Sequence, residues 1–483
     1  MIQNEEVEME EDDDNIANPI KSEPNDSEVN IKEIKDEEEY QLTQESKSDF
    51  EEKACSMKAG SVQGGVFALS SLALGTGAFS LPIRCTQVGC VWYSLFIILG
   101  ALIAYWTLSK LIESARVVKG EEYSTSVKRI LGKIPAIIID IILMFYLFGV
   151  IIQFNVIIYS LIGRTYYELF ENKDIYSDYN DFQKRSWDSA LIKFPTMFGM
   201  TLIMSPVCLL EDISKMRFAS MFGICSLIYS ILVVVIETPW FYLNYRNEIY
   251  RKDDPKTHAN WFDISKGFTK ELNFFTGMAT VFFVFSCHPG AFPVFKSLRN
   301  NIPKRINTVF FRSILLDLII YLFMAICGFL TDPLSKESLI IFRKSIFKND
   351  IFMTIAKISL ALDLYLSIPA NYNSLRASFF LLIFQTDKID TFRNIIVTFP
   401  ILLLATLIGA IFEDILSYIS LLGGFFCSVI CFLIPGCLMV TTSKEKILSL
   451  RNIIRIVILG ILCLIGFTAG IITIINMITK EKE

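Results

Sequence analysis

Long apolar stretches recur along the chain, separated by short polar breaks. A membrane-spanning helix needs about 20 mostly apolar residues. Eleven stretches meet that length, near residues 60–83, 90–114, 134–162, 194–210, 217–239, 271–294, 308–330, 351–373, 392–411, 415–440 and 453–478. A bilayer interior admits only helices or closed barrels, because every backbone polar group must be satisfied without water. These stretches are long and do not alternate between apolar and polar positions, so they predict helices. The expected fold class is all-α, a polytopic membrane protein with the lipid bilayer as its first partner.

The first 57 residues break this pattern. Residues 1–52 carry twenty Asp and Glu against four Lys, a local balance of −16, while the whole chain of 483 residues sums to −5. The remainder is therefore basic by +11. A segment so acidic and so poor in large apolar residues cannot offset its chain entropy. The reading is two domains, an acidic disordered cytoplasmic tail over 1–57 and an eleven-helix transmembrane domain over 58–483. The tail opens on acidic residues, not on a basic stretch, so no cleavable leader is expected. A cytosolic partner for the tail is an open expectation. The linkers 115–133 and 295–307 are short and basic, as cytoplasmic loops are. With an odd number of spans they place the N-terminus inside and the C-terminus outside.

Two spans are interrupted. The first contains Gly75-Thr76-Gly77 and closes on Pro82; the sixth contains Ser286-Cys287-His288 followed by Pro289-Gly290. Glycine and proline weaken a helix, and proline also removes a backbone donor. Freed carbonyls and N–H groups at membrane depth are tolerated beside a cavity or inside protein. They can hold a carboxylate at a half-helix N-terminus and a cation at exposed carbonyls. Interruptions in spans one and six, five apart, fit a five-plus-five inverted repeat with an eleventh helix added. A packing glycine or a simple kink would explain either interruption alone.

Several segments now carry a resemblance. GTGAFSLPIRCTQVG, PVCLLEDISKMRFAS, FSCHPGAFPVFKSL, SIPANYNSLRAS and LLGGFFCSVICFLIP, in order along residues 58–478, resemble helices one, four-to-five, six, eight and ten of the amino acid/auxin permease family. The resemblance implies a LeuT-type fold and secondary active transport of amino acids. Gly75, Thr76 and Gly77 would then meet the substrate's carboxylate, and Ser286, Cys287 and His288 its amino group and side chain. Sodium-coupled members of the family tend to carry Asn four residues before the first glycine of this motif; here that position is Ser71. Arg84 stands where the family usually has a small residue.

Ionisable residues inside spans are functional candidates. Asp363 lies near the middle of span eight, and Ser359, Asp363, Ser367 and Asn371 recur every four residues along one helix face. Together with Ser71, Ser359, Asp363 and Ser367 form the expected ion-coupling set, serving H⁺ or Na⁺. A structural pair of Asp363 with Lys357 or Arg312 is the competing reading. Asp317 is expected to pair with Arg312. Asp140 is expected to reach solvent at the inner end of span three, and Gln153 and Asn155 lie deeper. His288 could gate, titrate or cap freed carbonyls. Eleven cysteines without a CxxC and only two histidines argue against a metal site or a disulfide framework.

The expected function is amino acid transport by alternating access, in the plasma membrane or a vacuolar or lysosomal membrane, with no cofactor beyond the coupling ion. A sensor of the same fold, signalling through its tail, is the alternative. No nucleophile–base constellation supports an enzyme, and no feature points to nucleic acid.

Overall fold

The computed structural model describes residues 61–120, 122–171, 190–210, 217–249, 260–268, 272–299, 302–335, 337–343, 350–384, 391–411, 414–443, 445 and 449–480. The acidic tail, His258 and the charged turn after span four lie outside the described residues.

Nine helices among the described residues are long and apolar enough to cross a membrane. They are span two (Cys90–Val117), three (Lys133–Phe170), four (Leu191–Cys208), five (Phe222–Leu243), seven (Pro303–Thr331), eight (Ile351–Phe384), nine (Thr391–Ile411), ten (Ile415–Thr441) and eleven (Leu450–Thr479). Span one is a bent pair, Val62–Ala73 and Thr76–Val88, with 51° between its halves. Span six divides into Asn273–Val284 and Ala291–Ser297. The eleven expected positions are therefore all helical, and the two interrupted ones are physically broken.

Span eight lies along spans three and five, span seven packs against spans two and five and the first half of span one, and span nine packs on spans three and four. The first half of span six is held between spans ten and eleven. Span ten is the most enclosed, with 72% of its apolar window buried against 22% for span three. Outward positions such as Leu102, Ile203, Phe323 and Leu464 remain exposed. On a soluble protein so many exposed apolar side chains would form an aggregating surface; in a bilayer they face lipid.

The linker between spans two and three contains an amphipathic helix, Tyr123–Leu131, with Lys128 and Arg129 in its last turn. Its Ser124 hydroxyl donates to Asp140 Oδ2 at 2.8 Å. Asp140 is half-buried by that contact.

Ion pairs gather at the opposite end of the bundle from the basic linkers. Arg164 of span three meets Glu337 at 2.7 Å, Arg343 pairs with Glu237 of span five, and Lys357 of span eight pairs with Glu168. Residues 337–343 thus join spans three and five, while Glu168 joins spans three and eight. Lys357 is only 1% exposed, so its charge depends on Glu168. Removing one partner of a buried pair leaves the other charge uncompensated, which costs more than the pair contributes. Glu168→Gln is expected to destabilise the protein by about 2 kcal/mol, less than for a fully buried pair because Glu168 is partly solvated. Thermal unfolding in detergent checks this, and Glu168→Gln combined with Lys357→Met should recover much of the loss.

Candidate functional site

The two interruptions touch. Span one runs as an α-helix to Ala73, Leu74 caps it through its N–H to Ser70 O, and Gly75 is fully extended. A 3-10 turn over Thr76–Ser80 then starts the second half. The first N–H groups of such a turn have no partner within it, which leaves Thr76 and Gly77 as donors. Span six ends its first half at Val284, and Ser286 and Cys287 make only short-range backbone bonds, to Phe283 O and Phe285 O. A Cβ built on Gly77 would stand 2.6 Å from Val284 Cγ1 and 3.1 Å from Phe283 Cδ1. Glycine at 77 is what lets the broken backbones approach this closely.

Tyr321 of span seven fixes the junction. Its hydroxyl lies 2.6 Å from Ala73 O and 2.9 Å from Val284 O, the last helical carbonyls before each interruption. Tyr321 is fully buried. One phenol thus serves two carbonyls that the interruptions would otherwise leave orphaned.

Span three forms the facing wall. Gln153 Nε2 donates to Thr76 Oγ1 at 3.2 Å, while its Oε1 is buried without a partner. The Tyr146 hydroxyl is 3.0 Å from Ser286 Oγ. Thr76, Gln153, Tyr146 and Ser286 therefore form one polar strip across the interruptions. Gly75 opens on space: the nearest heavy atom to a Cβ there is Ala73 O at 4.0 Å.

The expected substrate residues do not all share this strip. Gly75, Thr76 and Ser286 do. Gly77 packs its Cα side against Val284 and Phe283 and adds only its backbone N–H. Cys287 is 2% exposed and stands near Asp317 of span seven. His288 is fully buried, with Nε2 2.8 Å from Thr107 Oγ1 of span two and Nδ1 without a partner. Where the helix opens, successive side chains fan out, so Ser286 turns to span three, Cys287 to span seven and His288 to span two.

The expected ion-coupling residues divide similarly. Ser367 Oγ lies 3.5 Å from Asp363 Oδ1, and Asn371 Nδ2 donates to Ser367 O at 2.9 Å, so the polar face of span eight exists. Ser71 and Ser359 instead donate to carbonyls of their own helices, Ala68 O at 2.8 Å and Ala356 O at 3.1 Å. Asp363 packs against span five, where a Cβ on Gly223 would fall 2.1 Å from its Oδ1. It has neither Lys357 nor Arg312 as partner. The expected Asp317–Arg312 pair is also absent: Arg312 is exposed and Asp317 is 0% exposed. Five residues of helix advance about 500°, which turns the two side chains to different faces.

Arg84 is buried at 3% exposure in the second half of span one. It donates to Thr276 Oγ1 at 2.9 Å, Thr280 Oγ1 at 3.1 Å and Gln87 Oε1 at 2.8 Å, and also to Ser420. It ties the second half of span one to the first half of span six and to span ten. Tyr146, Tyr321 and Thr107 were not singled out by the sequence pattern. One polar tip on an aromatic or β-branched residue inside an apolar run carries no periodic signal.

The arrangement is two broken helices closed against each other, with unpaired backbone donors and side-chain hydroxyls at mid-membrane depth. A sequence model described as transmembrane amino acid transporter protein matches residues 58–479. The chain belongs to that family. It is a multi-pass membrane transporter of amino acids and not an enzyme. It is similar to sodium-coupled neutral amino acid transporter 7 of Rattus norvegicus, 24% identical over 388 residues that cover 78% of each chain. It is also similar to vacuolar amino acid transporter 5 of Schizosaccharomyces pombe, 23% identical over 384 residues, covering 77% of this chain and 82% of that one. Among solved structures, MhsT in complex with L-phenylalanine matches with a TM-score of 0.52 and 14% identity, over 84% of this chain and 98% of that one. The fold is therefore the LeuT-type inverted repeat that the placement of the two interruptions predicts.

Tyr321→Phe removes the shared donor from Ala73 O and Val284 O. The transporter's stability is expected to fall by about 1–2 kcal/mol, the cost of leaving a buried polar group unmatched. Gly77→Val should also lower the melting temperature, because Val284 and Phe283 must move to admit it. Melting curves of both purified variants beside the wild type check the two expectations.

Proposed function

We propose that this transporter moves amino acids by alternating access, coupled to a cation, with the substrate held at the contact between the two interruptions. The observation that supports it is that contact itself: Gly75 open to space, Thr76 and Gly77 at the start of a turn, and Ser286 across from them beside Tyr146. The substrate's carboxylate would take the N–H groups at Thr76 and Gly77, and its ammonium the oxygen-rich side formed by Ser286 Oγ and Gln153 Oε1. The relatives' printed names, a sodium-coupled neutral amino acid transporter and a vacuolar amino acid transporter, support neutral amino acids as cargo. The first name also supports Na⁺ as the driving ion, and the second supports a vacuolar address; H⁺ as the driving ion, and a lysosomal or plasma-membrane address, are part of the proposal. The basic linkers favour a cytoplasmic N-terminus.

Asp363 and Ser367 are the proposed cation-handling groups of span eight. Their carboxylate and hydroxyl oxygens suit Na⁺, and the carboxylate alone suits H⁺. The deciding experiment is uptake into vesicles reconstituted with the full chain, using labelled amino acids and separately imposed Na⁺ and H⁺ gradients. Uptake that neither gradient stimulates would reject coupled transport.

Two variants test the assignments. Gly75→Val adds bulk where no neighbour must move, so the protein should melt like the wild type yet lose binding of labelled amino acids. Normal binding would place the substrate elsewhere. Asp363→Asn nearly preserves shape and removes the charge. It should lose accumulation against a gradient while retaining one-for-one exchange, and full accumulation would leave Asp363 a structural group.

A further inference from the structure

We propose that Asp317, in the middle of span seven, is a proton-binding site whose occupancy changes during the transport cycle. The proposal rests on the transporter reading above but on different residues and a different place from the span-eight site.

Asp317 is fully enclosed, and neither carboxylate oxygen has a hydrogen-bond partner. Among the described residues it forms no ion pair. Its surroundings are neutral on every side. The first half of span one contributes Ser70, whose hydroxyl is already engaged at 2.8 Å with Ser313 Oγ, one turn before Asp317. The interruption in span six contributes the Cys287 thiol, and span seven itself contributes the Tyr321 phenol one turn further on. The charged groups on the packed elements are engaged elsewhere. Arg84 is held by Thr276, Thr280 and Ser420; Lys110 pairs with Glu113; Arg116 lies over the Phe295 ring; and Glu237 pairs with Arg343. His288 is turned to Thr107.

A fully enclosed carboxylate without a counter-charge carries a desolvation cost of several kcal/mol when ionised. The neutral acid is therefore the form that this closed arrangement accepts. A bound Na⁺ would need several free oxygen ligands, whereas among the described residues the Ser70 and Ser313 hydroxyls bond each other and the Tyr321 hydroxyl bonds the carbonyls of Ala73 and Val284. The ligand class is a single proton.

The position links that proton to movement. Ser70 belongs to the twelve-residue first half of span one, which ends at the extended Gly75 and is bent 51° from the second half. This half-helix covers Asp317 through the Ser70–Ser313 contact. On the same face, Tyr321 holds the carbonyls of Ala73 and Val284. Displacing the half-helix from span seven would admit water to Asp317 and release the junction in one motion. The acid would then ionise, giving its proton to the side of the membrane where span one begins. The O–H bond of the carboxyl breaks, the electron pair stays on the carboxylate, and water takes the proton.

The test uses the full chain in vesicles, with an equimolar mixture of the twenty amino acids as cargo, one of them labelled in turn. Wild-type exchange without any gradient first establishes transport, and its absence would defeat the transporter reading itself. With the interior made alkaline, one proton moving with each amino acid drives up to about tenfold accumulation per unit of pH difference. Asp317→Asn, a neutral near-isostere of the protonated acid, is expected to keep exchange and lose this pH-driven component. Asp317→Glu retains a titrating group in altered surroundings and is expected to shift the pH profile of uptake. Wild-type exchange that no pH gradient stimulates would overturn the proposal while leaving the transporter reading intact. So would an Asp317→Asn variant with the full pH-driven component. If Asp317→Asn fails to fold, an Asp317→Glu profile superimposable on the wild type overturns it equally.

Discussion

The constraint on which this structure depends is that backbone polar groups inside a bilayer must find partners in the protein. A helix satisfies them automatically. This chain breaks two helices at mid-membrane and so frees carbonyls and N–H groups at the most costly depth. The burial of Tyr321 answers half of that problem, because its hydroxyl serves the last helical carbonyl of both broken spans. The remaining donors, at the start of the 3-10 turn, have no such partner within it. On the proposed reading, a ligand carrying a carboxylate would supply what they lack. The proposed binding site is thus the unsatisfied remainder of the fold's own hydrogen bonding.

Close approach comes from the same constraint. Gly77 allows the start of one half-helix to lie against Val284 and Phe283, and Gly290 leaves room for Leu72 at the other side of the junction. Without the hydrophobic drive of water, helices in a bilayer associate through packing and small residues at contacts. Gly423 of span ten shows how far this goes, since a Cβ there would overlap Ala279 O of span six at 1.9 Å. Arg84 then adds polar ties across the same three elements.

Much of this was legible in the residues. Hydrophobic run length located the nine helices among the described residues that are long enough to cross a membrane, and Gly-Thr-Gly and His-Pro-Gly marked the two further positions that break. The period of four along span eight correctly placed Asp363, Ser367 and Asn371 on one connected face. What could not be read was rotation. Lys357, six residues before Asp363, faces Glu168 of span three, and Arg312, five before Asp317, faces outward. Separation along the sequence gives a helix angle, but only the packed neighbours decide which angle faces the core. Cys287 and His288 show the same limit where the helix opens, because no fixed period applies there. Tyr146 and Tyr321 were hidden for another reason. An aromatic ring in an apolar run reads as core, and its single hydroxyl acquires meaning only when a distant carbonyl is brought to it.

Two intramembrane carboxylates emerge from this packing, enclosed to different degrees. Asp363 is half-buried, touches a hydroxyl and lies against a glycine that makes room for it. Asp317 is sealed, and neither of its oxygens has a partner within hydrogen-bond distance. Solvation and oxygen neighbours stabilise the charged form of a carboxyl group, and enclosure among apolar and neutral groups stabilises the protonated form. The same side chain, on two helices of one bundle, therefore stands in two different surroundings. Under the proposals above, Asp363 would hold a charge that a cation can approach, whereas Asp317 would be charged only after the first half of span one has moved. Asp317, and not Asp363, stands beside the hinge: its helix also carries the tyrosine that joins both interruptions, so in the proposed cycle ionisation there and release of the junction would draw on one displacement.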